Sequence, residues 1–573
     1  MSKIILACCR DRQHHPYSSK HIEELSRRLT PDNILPPPPR IIQKNGILIG
    51  IYNPRESLSV HDTSVCMGNM IEAADDWWRP TAPVPDGTYA LFRSDEAQVE
   101  LVTDMLASRT IWYVHTDTMF LAATSQRALV YFLRDFQPNE ETRSWLLFSG
   151  TLGYGLSWDR RIRWLPGNSR LVLNRSSWTT KTTRDSVPFR PVASSRKAHQ
   201  QQLKEATHSV FDHLAIDPSK WVLPLSGGYD SGAVLLFLKH GGRLKCVTWG
   251  SLSALQNKHS DACVAQQLAA ALKVPWEYLE TDVSDEPIEV LLRRFLVAGE
   301  GRFDNIAGYM DGFKIWKRLF ESEAYGIIRG DEGFGLARVV STPLDVRRHS
   351  QVVFASDFPN IGSAAAFDCE EQRFPEALRQ QEGETLMAWR ERLYQEFRVA
   401  TGNSALTDLK CAYVELVNPF LSRRIITQIR TIPDRWRTEK QLWKEIVRSM
   451  RPKVGFAKYS AVTEYEDVLK GKRMVEVIAD ELDAAHARAV LPNKLINFIR
   501  SKIKVSGAEP ARRGISLRAR IKYYMPMQLK NVLRHTVLKR QMDYNVLGLR
   551  AYMIVKMSEL LAGDARAISE REN

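Results

Sequence analysis

No stretch of this chain is apolar for long enough to cross a bilayer. Runs such as residues 233–238 stop far short of the roughly 18–20 residues a spanning helix needs. The opening residues, Met1-Ser2-Lys3-Ile4-Ile5-Leu6-Ala7, lack the apolar length of a secretory signal and read as a first strand. Cysteine is sparse and unpatterned. Its seven copies lie at 8, 9, 66, 246, 263, 369 and 411, with no CxxC pair and no histidine spacing of a zinc site. They are expected to be buried small hydrophobes, and His14-His15 beside Pro16 reads as loop. A Walker A sequence, GxxxxGK[ST], is absent, which argues against transfer of a γ-phosphoryl group. Taken together, these absences predict a cytoplasmic location and a chain that does not act in the membrane.

What is present is a globular composition, 44% hydrophobic and 25% charged, over 573 residues, enough for two or three domains. Acidic residues are outnumbered, 80 Lys and Arg against 66 Asp and Glu, for a net charge of +14. Much of that excess is local. Residues 511–540 hold nine basic side chains (Arg512, Arg513, Arg518, Arg520, Lys522, Lys530, Arg534, Lys539 and Arg540) and no acid. Such a stretch fits a solvated helical face, a nucleic acid or an acidic peptide partner.

Residues 1–190 read as mostly β, with short runs at 46–52, 88–92 and 171–173 bounded by Gly, Pro and Asn. Pro36–Pro39 marks a rigid surface loop, and the Pro- and Ser-rich stretch 186–195 suits a boundary. From residue 197 strands and helices alternate: helix 204–214, strand 221–225, helix 232–240, strand 245–249, a Ser260-capped helix to Lys273, strand 276–279. That alternation predicts a parallel sheet with helical crossovers. Beyond about 385 the pattern is mainly helical. The expected fold class is therefore α/β, divided as a β-rich domain 1–190, a parallel α/β domain 197–500 and a basic helical extension 501–573.

The strongest motif is Ser226-Gly227-Gly228-Tyr229-Asp230-Ser231, between an apolar strand and a helix. Two glycines let the backbone come close to an anion. The N–H groups and dipole of the following helix favour phosphate. Ser226 and Ser231 can donate hydroxyl hydrogen bonds. Asp230 would repel phosphate directly and makes sense as a Mg²⁺ ligand.

This loop resembles the pyrophosphate loop of the ATP pyrophosphatase (PP-loop) family, and the chain looks like its asparagine-synthetase-like branch over roughly residues 85–460. Further segments carry the resemblance. Val247-Thr248-Trp249-Gly250 resembles the strand that contacts adenine, and Ser260-Asp261 matches the branch's acidic helix start. Tyr413-Val414-Glu415-Leu416-Val417-Asn418-Pro419-Phe420-Leu421 is similar to its VExxxPFL segment. Arg451-Pro452-Lys453-Val454-Gly455-Phe456 is similar to RxKxxF with its catalytic lysine, and Leu165-Pro166-Gly167-Asn168 to its PPG turn. The resemblance implies that ATP and Mg²⁺ are used to adenylate a carboxylate. Lys453 and Mg²⁺ would oppose the growing phosphate charge, and Glu415 would orient or deprotonate the attacking amine.

Two departures shape the expectation. Glutamine-dependent members begin with a nucleophilic cysteine after Met; here position 2 is Ser2, and no counterpart of the glutamine-binding segment is found. The first domain is thus expected to be a degenerate N-terminal-nucleophile amidohydrolase sandwich, with the amine supplied by the substrate. The second departure is Ile327-Ile328-Arg329-Gly330-Asp331-Glu332-Gly333-Phe334-Gly335, shorter than the family's SGEGSDExFGG. Aligned from the right, Asp331 is a metal ligand and Ile328 holds the catalytic place. Aligned from the left, Gly330 ends the strand and Asp331 is catalytic. Arg329 and Gly330 would border a phosphate.

A chain of this branch without the cysteine resembles the lasso-peptide cyclases, RiPP (ribosomal peptide) enzymes that close a macrolactam. That implies a precursor peptide as substrate, with a leader-peptide-binding protein and a leader protease as partners. Asparagine or β-lactam synthetase-like chemistry on a small molecule stays open, as do a tRNA-modifying PP-loop enzyme and an inactive scaffold.

Overall fold

The computed structural model of the chain describes residues 3–12, 16–54, 58–238, 244–322, 324–331, 333–334, 339–461, 465–505 and 541–568. Ser2, His14-His15, Glu332, Gly335, the end of the expected 232–240 helix and the basic stretch 511–540 lie outside those residues.

The first expected strand runs Lys3–Cys9 with all seven residues buried, which requires cover on both faces. Strand alternation supplies it. Ile4, Leu6 and Cys8 point into one apolar core, and Ile5 and Ala7 into another. The strand is central in a six-stranded antiparallel sheet, ordered Arg163–Trp164, Trp112–His115, Met119–Ala123, Lys3–Cys9, Ile47–Tyr52, Arg40–Lys44. A second antiparallel sheet of six strands, Thr179–Arg184 through Ser59–His61, packs on it through Val65, Met67, Phe92, Leu101 and Leu171. The outer face of the first sheet is covered by helices Ser19–Leu29 and Gln126–Leu133. Residues 3–184 are therefore a two-sheet sandwich flanked by helices.

Past the exposed coil near 186–195, helix Arg196–Asp212 leads into a five-stranded parallel sheet. Its order is Trp276–Glu280, Lys245–Gly250, Trp221–Pro224, Gly326–Ile328, Glu415–Val417. Val222, Val247, Ile327 and Leu416 face one core, and Leu223, Cys246, Ile328 and Val417 the other. Helices Asp230–Phe237, Asp261–Leu272 and Gln441–Met450 pack on the second face, and helices Ile288–Gly299 and Lys314–Glu321 on the first. The chain leaves strand Trp221–Pro224 toward one side of the sheet and later returns to its other side with Gly326–Ile328. In open α/β sheets, ligands collect outside the carboxyl ends of the strands at such a switch point.

The last described helix, Tyr544–Arg566, lies in the expected basic helical extension 501–573 but is not an appendage to the fold. It is apolar on most sides (Leu547, Leu549, Met553, Ile554, Met557 and Leu561 are all buried) and packs against the first domain. There, Asp564 accepts from Arg127 at 2.7 and 3.0 Å and from Arg28 at 2.8 Å. Such a helix is interior by composition. Five of the seven cysteines are buried and all are free; Cys263 and Cys369 are partly exposed. Among the described residues, no helix is long and apolar enough to cross a membrane.

Candidate phosphate loop at the carboxyl edge of the parallel sheet

Strand Trp221–Pro224 ends in the glycine loop, and helix Asp230–Phe237 starts directly after it. The loop is closed on itself. The Ser226 N–H donates to Ser231 Oγ at 2.9 Å, the two hydroxyls lie 2.8 Å apart, and the Gly228 N–H donates to Ser226 Oγ at 3.2 Å. Helix Asp261–Leu272 braces it from outside, its Asp261 accepting the Gly227 N–H at 3.2 Å while the Ser260 hydroxyl caps that helix. Burial raises the Asp261 pKa above the usual carboxylate value. Glycine is required at 227 for space, since a Cβ there would sit 2.6 Å from Ala457 and 2.8 Å from Val264.

Residues 451–461 fold over the loop. Ala457 N–H donates to Gly227 O at 3.0 Å, Arg451 Nη1 donates to Gly228 O at 3.0 Å, and Phe456 stacks on Tyr229 with centroids 3.9 Å apart. Lys453 sits on this covering segment with its side chain exposed. Helix Gln441–Met450 adds a basic row: Lys440 just before it, then Lys444 and Arg448 over the Tyr229 ring, with Arg448 Nη2 2.7 Å from the Tyr229 hydroxyl. Sequence reasoning named Arg451 within the RxKxxF match without a role and missed Lys440 and Trp443, although the i, i+4, i+8 spacing of Lys440, Lys444 and Arg448 marks one helical face.

Gly330 and Asp331, which follow strand Gly326–Ile328, lie beside the loop. A Cβ on Gly330 would be 2.8 Å from the Asp230 carbonyl carbon and 2.9 Å from Ser231 N. Arg329 grips Asp331, Nη2 to Oδ1 at 3.1 Å, with both side chains about a quarter exposed. Burial works against the Asp331 carboxylate, but Arg329 and Lys410 outweigh it and hold its pKa below the ordinary value. Burial pushes the Lys410 ammonium down to about 7, with Arg329 adding to the effect and Asp331 opposing it.

Three expectations change. Asp230 does not offer open oxygens to Mg²⁺, because Oδ2 accepts from Lys440 Nζ at 3.1 Å and Oδ1 from Trp443 Nε1 at 3.0 Å. With Asp331 bound by Arg329, the two carboxylates do not form the oxygen set a divalent ion takes. Thr248 is spent on the sheet, donating to Leu225 O at 2.7 Å and accepting from Trp276 Nε1 at 2.9 Å, while Val247 O holds the Leu225 N–H. Glu415 is not at the loop at all. It opens its strand opposite Gly326, at the amino edge of the sheet, is 4% exposed, and pairs with Arg109 of the sandwich at 2.5 Å. Asp331 lies five residues past Gly326, about 16 Å along an extended strand. Strand direction, which a matched segment does not reveal, separates Glu415 from the loop.

The site thus joins a helix N-terminus, a glycine loop and five cations (Arg329, Lys440, Arg448, Arg451 and Lys453) around one sheet edge. That arrangement suits a polyanion such as a nucleotide phosphate chain.

Solved structures align with part of the chain, two of them as follows. One is described as the allosteric regulatory enzyme of purine biosynthesis, at 10% identity over 48% of this chain and 64% of that one, with a TM-score of 0.21. The other is glutamine phosphoribosylpyrophosphate amidotransferase from B. subtilis complexed with ADP and GMP, at 10% identity over 48% and 65%, with a TM-score of 0.19. The chain spans less than two thirds of either, and a superposition at these scores fixes neither fold nor activity. No family model matches the chain, and no curated protein does.

Proposed function

We propose that this chain is an ATP-dependent amide-forming ligase that adenylates a carboxylate at the 226–231 loop. The observation that carries the reading is the glycine loop and helix start at the switch point of a parallel sheet, ringed by Arg329, Lys440, Arg451 and Lys453. A carboxylate oxygen attacks the α-phosphorus of ATP. The new bond is C–O–Pα, the Pα–O–Pβ bond breaks, and pyrophosphate leaves with the electron pair. An amine then attacks the acyl carbon, AMP departs, and one proton is released to solvent. The chain's own cations oppose charge on the departing pyrophosphate, and Arg451 and the 451–461 segment cover one side of the loop.

The substrate class is part of the same reading: no counterpart of the family's glutamine-binding segment is found, which supports an amine that comes with the substrate. The finer reading is a lasso-peptide cyclase that joins an Asp or Glu side chain of a precursor peptide to the core's N-terminal amine, working beside a leader-binding protein and a leader protease. The sandwich of residues 3–184 would then be an amidohydrolase-type domain without its ammonia-releasing role. The test is exchange of labelled pyrophosphate into ATP with Asp- and Glu-containing peptides as acids, followed by mass measurement of a core peptide for loss of one water. Absence of exchange with every carboxylate ends the adenylation reading. Exchange without loss of water from any peptide ends the cyclase reading alone.

A further inference from the structure

Lys453, the cation assigned to the leaving pyrophosphate, stands on an arch, residues 452–456, that its own backbone does little to hold. Beyond the arch, a row of backbone bonds fastens the covering segment. Ala457 N–H donates to Gly227 O at 3.0 Å and Lys458 N–H to His259 O at 2.8 Å. Tyr459 O accepts from the Asp261 N–H at 2.8 Å, and Ala461 O from the Ser251 N–H at 3.0 Å. Before the arch, helix Gln441–Met450 has ended. Among the described residues, the hydrogen bonds of the arch backbone stay local. Val454 N–H donates to Pro452 O at 2.6 Å, and Val454 O and Gly455 O accept from the Arg451 guanidinium at 3.3 and 2.9 Å. An exposed lysine on such a stretch has many positions to sample.

Two contacts bring the arch onto the nucleotide loop, one on each side of Lys453. Two residues before it, Arg451 Nη1 donates to Gly228 O at 3.0 Å. Three residues after it, the Phe456 ring lies on the Tyr229 ring, with centroids 3.9 Å apart and planes 15° from parallel. The Arg451 guanidinium also stands 4.2 Å from the Phe456 centroid, so the two anchors brace each other. Tyr229 is itself well held. It directly precedes helix Asp230–Phe237, its hydroxyl accepts from Arg448 Nη2 at 2.7 Å, and Lys444 Nζ lies 5.7 Å from its ring centroid. The start of the loop helix, more than the arch's own backbone, therefore sets where the Lys453 side chain begins.

We infer that the Tyr229–Phe456 stack is what places Lys453 for adenylation, pinning the arch to the start of the loop helix so that the ammonium meets the charge growing on the departing pyrophosphate. This rests on the adenylation reading. Phe456 is thereby a positioning residue, acting through Lys453 alone. A charge that works only in the transition state must be in place before the reaction, and a displacement of about 1 Å can cost about 100-fold in rate.

The experiment uses full-length protein with Phe456→Ala, which removes the ring, Phe456→Tyr, which keeps it, and Lys453→Ala. Pyrophosphate exchange is followed with Asp- and Glu-containing peptides as acids. Phe456→Ala should lower the exchange rate by about 30-fold or more while the ATP KM changes by less than about threefold, and Phe456→Tyr should restore the rate. The deciding comparison is Phe456→Ala made in Lys453→Ala. There the ring has no ammonium left to place, so its loss should lower the rate by less than about twofold. A full second loss in that background, or an unchanged rate in Phe456→Ala alone, overturns the inference. A second readout needs no turnover. The Arg451–Pro452 bond resists trypsin, so Lys453–Val454 is the cleavable bond of the arch. Phe456→Ala should speed its cleavage by about tenfold and leave cleavage elsewhere as in the parent. Equal cleavage of that bond in the two proteins, or faster cleavage at all sites, overturns the inference as well. If the parent exchanges pyrophosphate with no carboxylate, the adenylation reading ends, and cleavage alone decides whether the stack holds the arch.

Discussion

The two ends of the parallel sheet carry the same chemical groups in opposite settings. At the amino edge, Glu415 faces Arg109, whose Nε lies 3.9 Å from Asp408, and Asp408 in turn pairs closely with Arg302. All four are nearly dry, with side chains 2–8% exposed, and they fasten the sheet to the sandwich. At the carboxyl edge, Asp230–Lys440 and Asp331–Arg329 are also ion pairs, but their side chains are 17–29% exposed and they border a glycine loop. Buried, closely set pairs hold parts together; half-open pairs around a helix start can exchange partners with an incoming anion. The difference locates chemistry better than residue type does.

The comparison breaks most visibly at Glu415. Removing one member of a buried pair costs about 3–5 kcal/mol, because the other charge is left uncompensated. Glu415→Ala should therefore lower stability by that order, seen as a shift of the denaturation midpoint, with nucleotide affinity of the folded fraction retained. Replacing both partners, Arg109→Met with Glu415→Leu, should recover much of the loss. A Glu415 variant of normal stability and no exchange activity would return that residue to the site.

The second seam between sandwich and sheet domain predicts a pH effect. Glu300 is buried, and burial alone would raise its pKa. The Lys3 ammonium at 3.1 Å, the Ser125 hydroxyl and the Gln126 N–H at 2.8 Å bring it below the ordinary value of 4.5. A carboxyl whose folded pKa lies below its unfolded one contributes stability that is complete above the unfolded value and is lost as pH falls through the folded one. Glu300→Gln should lose that contribution at neutral pH and flatten the acid limb below about pH 4.5, which denaturation at stepped pH would show. An acid limb identical to the parent's would remove Glu300 from the seam's electrostatics.

At the carboxyl edge the expected stability costs are smaller and the functional ones larger. Gly330→Ala places a methyl 2.8 Å from the Asp230 backbone. Forcing the loop outward should cost about 1–3 kcal/mol and weaken ATP binding by about tenfold, measured by calorimetry. Retained affinity would mean that the Gly330–loop contact does not shape the phosphate site.

How much of this was legible depends on how local each feature is. The 226–231 loop could be read because glycine, strand end and helix start are neighbours in sequence, and the Ser260 cap of helix Asp261–Leu272 for the same reason. Glu415 was misplaced because the matched VExxxPFL segment carries no information about which end of the strand faces the site; only the register Gly326↔Glu415 does. The Mg²⁺ role given to Asp230 assumed open oxygens, and Lys440 and Trp443, more than 200 residues away, fill them. The buried helix Tyr544–Arg566 was legible in principle, since apolar residues on most of its sides argue for burial. The basic composition of the segment before it obscured that signal.

The smallest structural effect is expected at Lys453, where the contrast between the two edges is sharpest. The side chain is exposed on the segment that covers the loop. Lys453→Ala should change stability by no more than about 0.5 kcal/mol, as surface substitutions away from special features do. If its charge meets the leaving pyrophosphate, the same change should lower the exchange rate by about 100-fold or more and leave the ATP dissociation constant nearly as it was. The ground-state phosphates would still be held by the loop, the helix start and Arg451. A rate loss with unaltered melting would set Lys453 apart from Glu415, whose loss should act through the fold. An unaltered rate would pass the role of opposing pyrophosphate charge to Arg451, whose guanidinium already holds the Gly228 carbonyl.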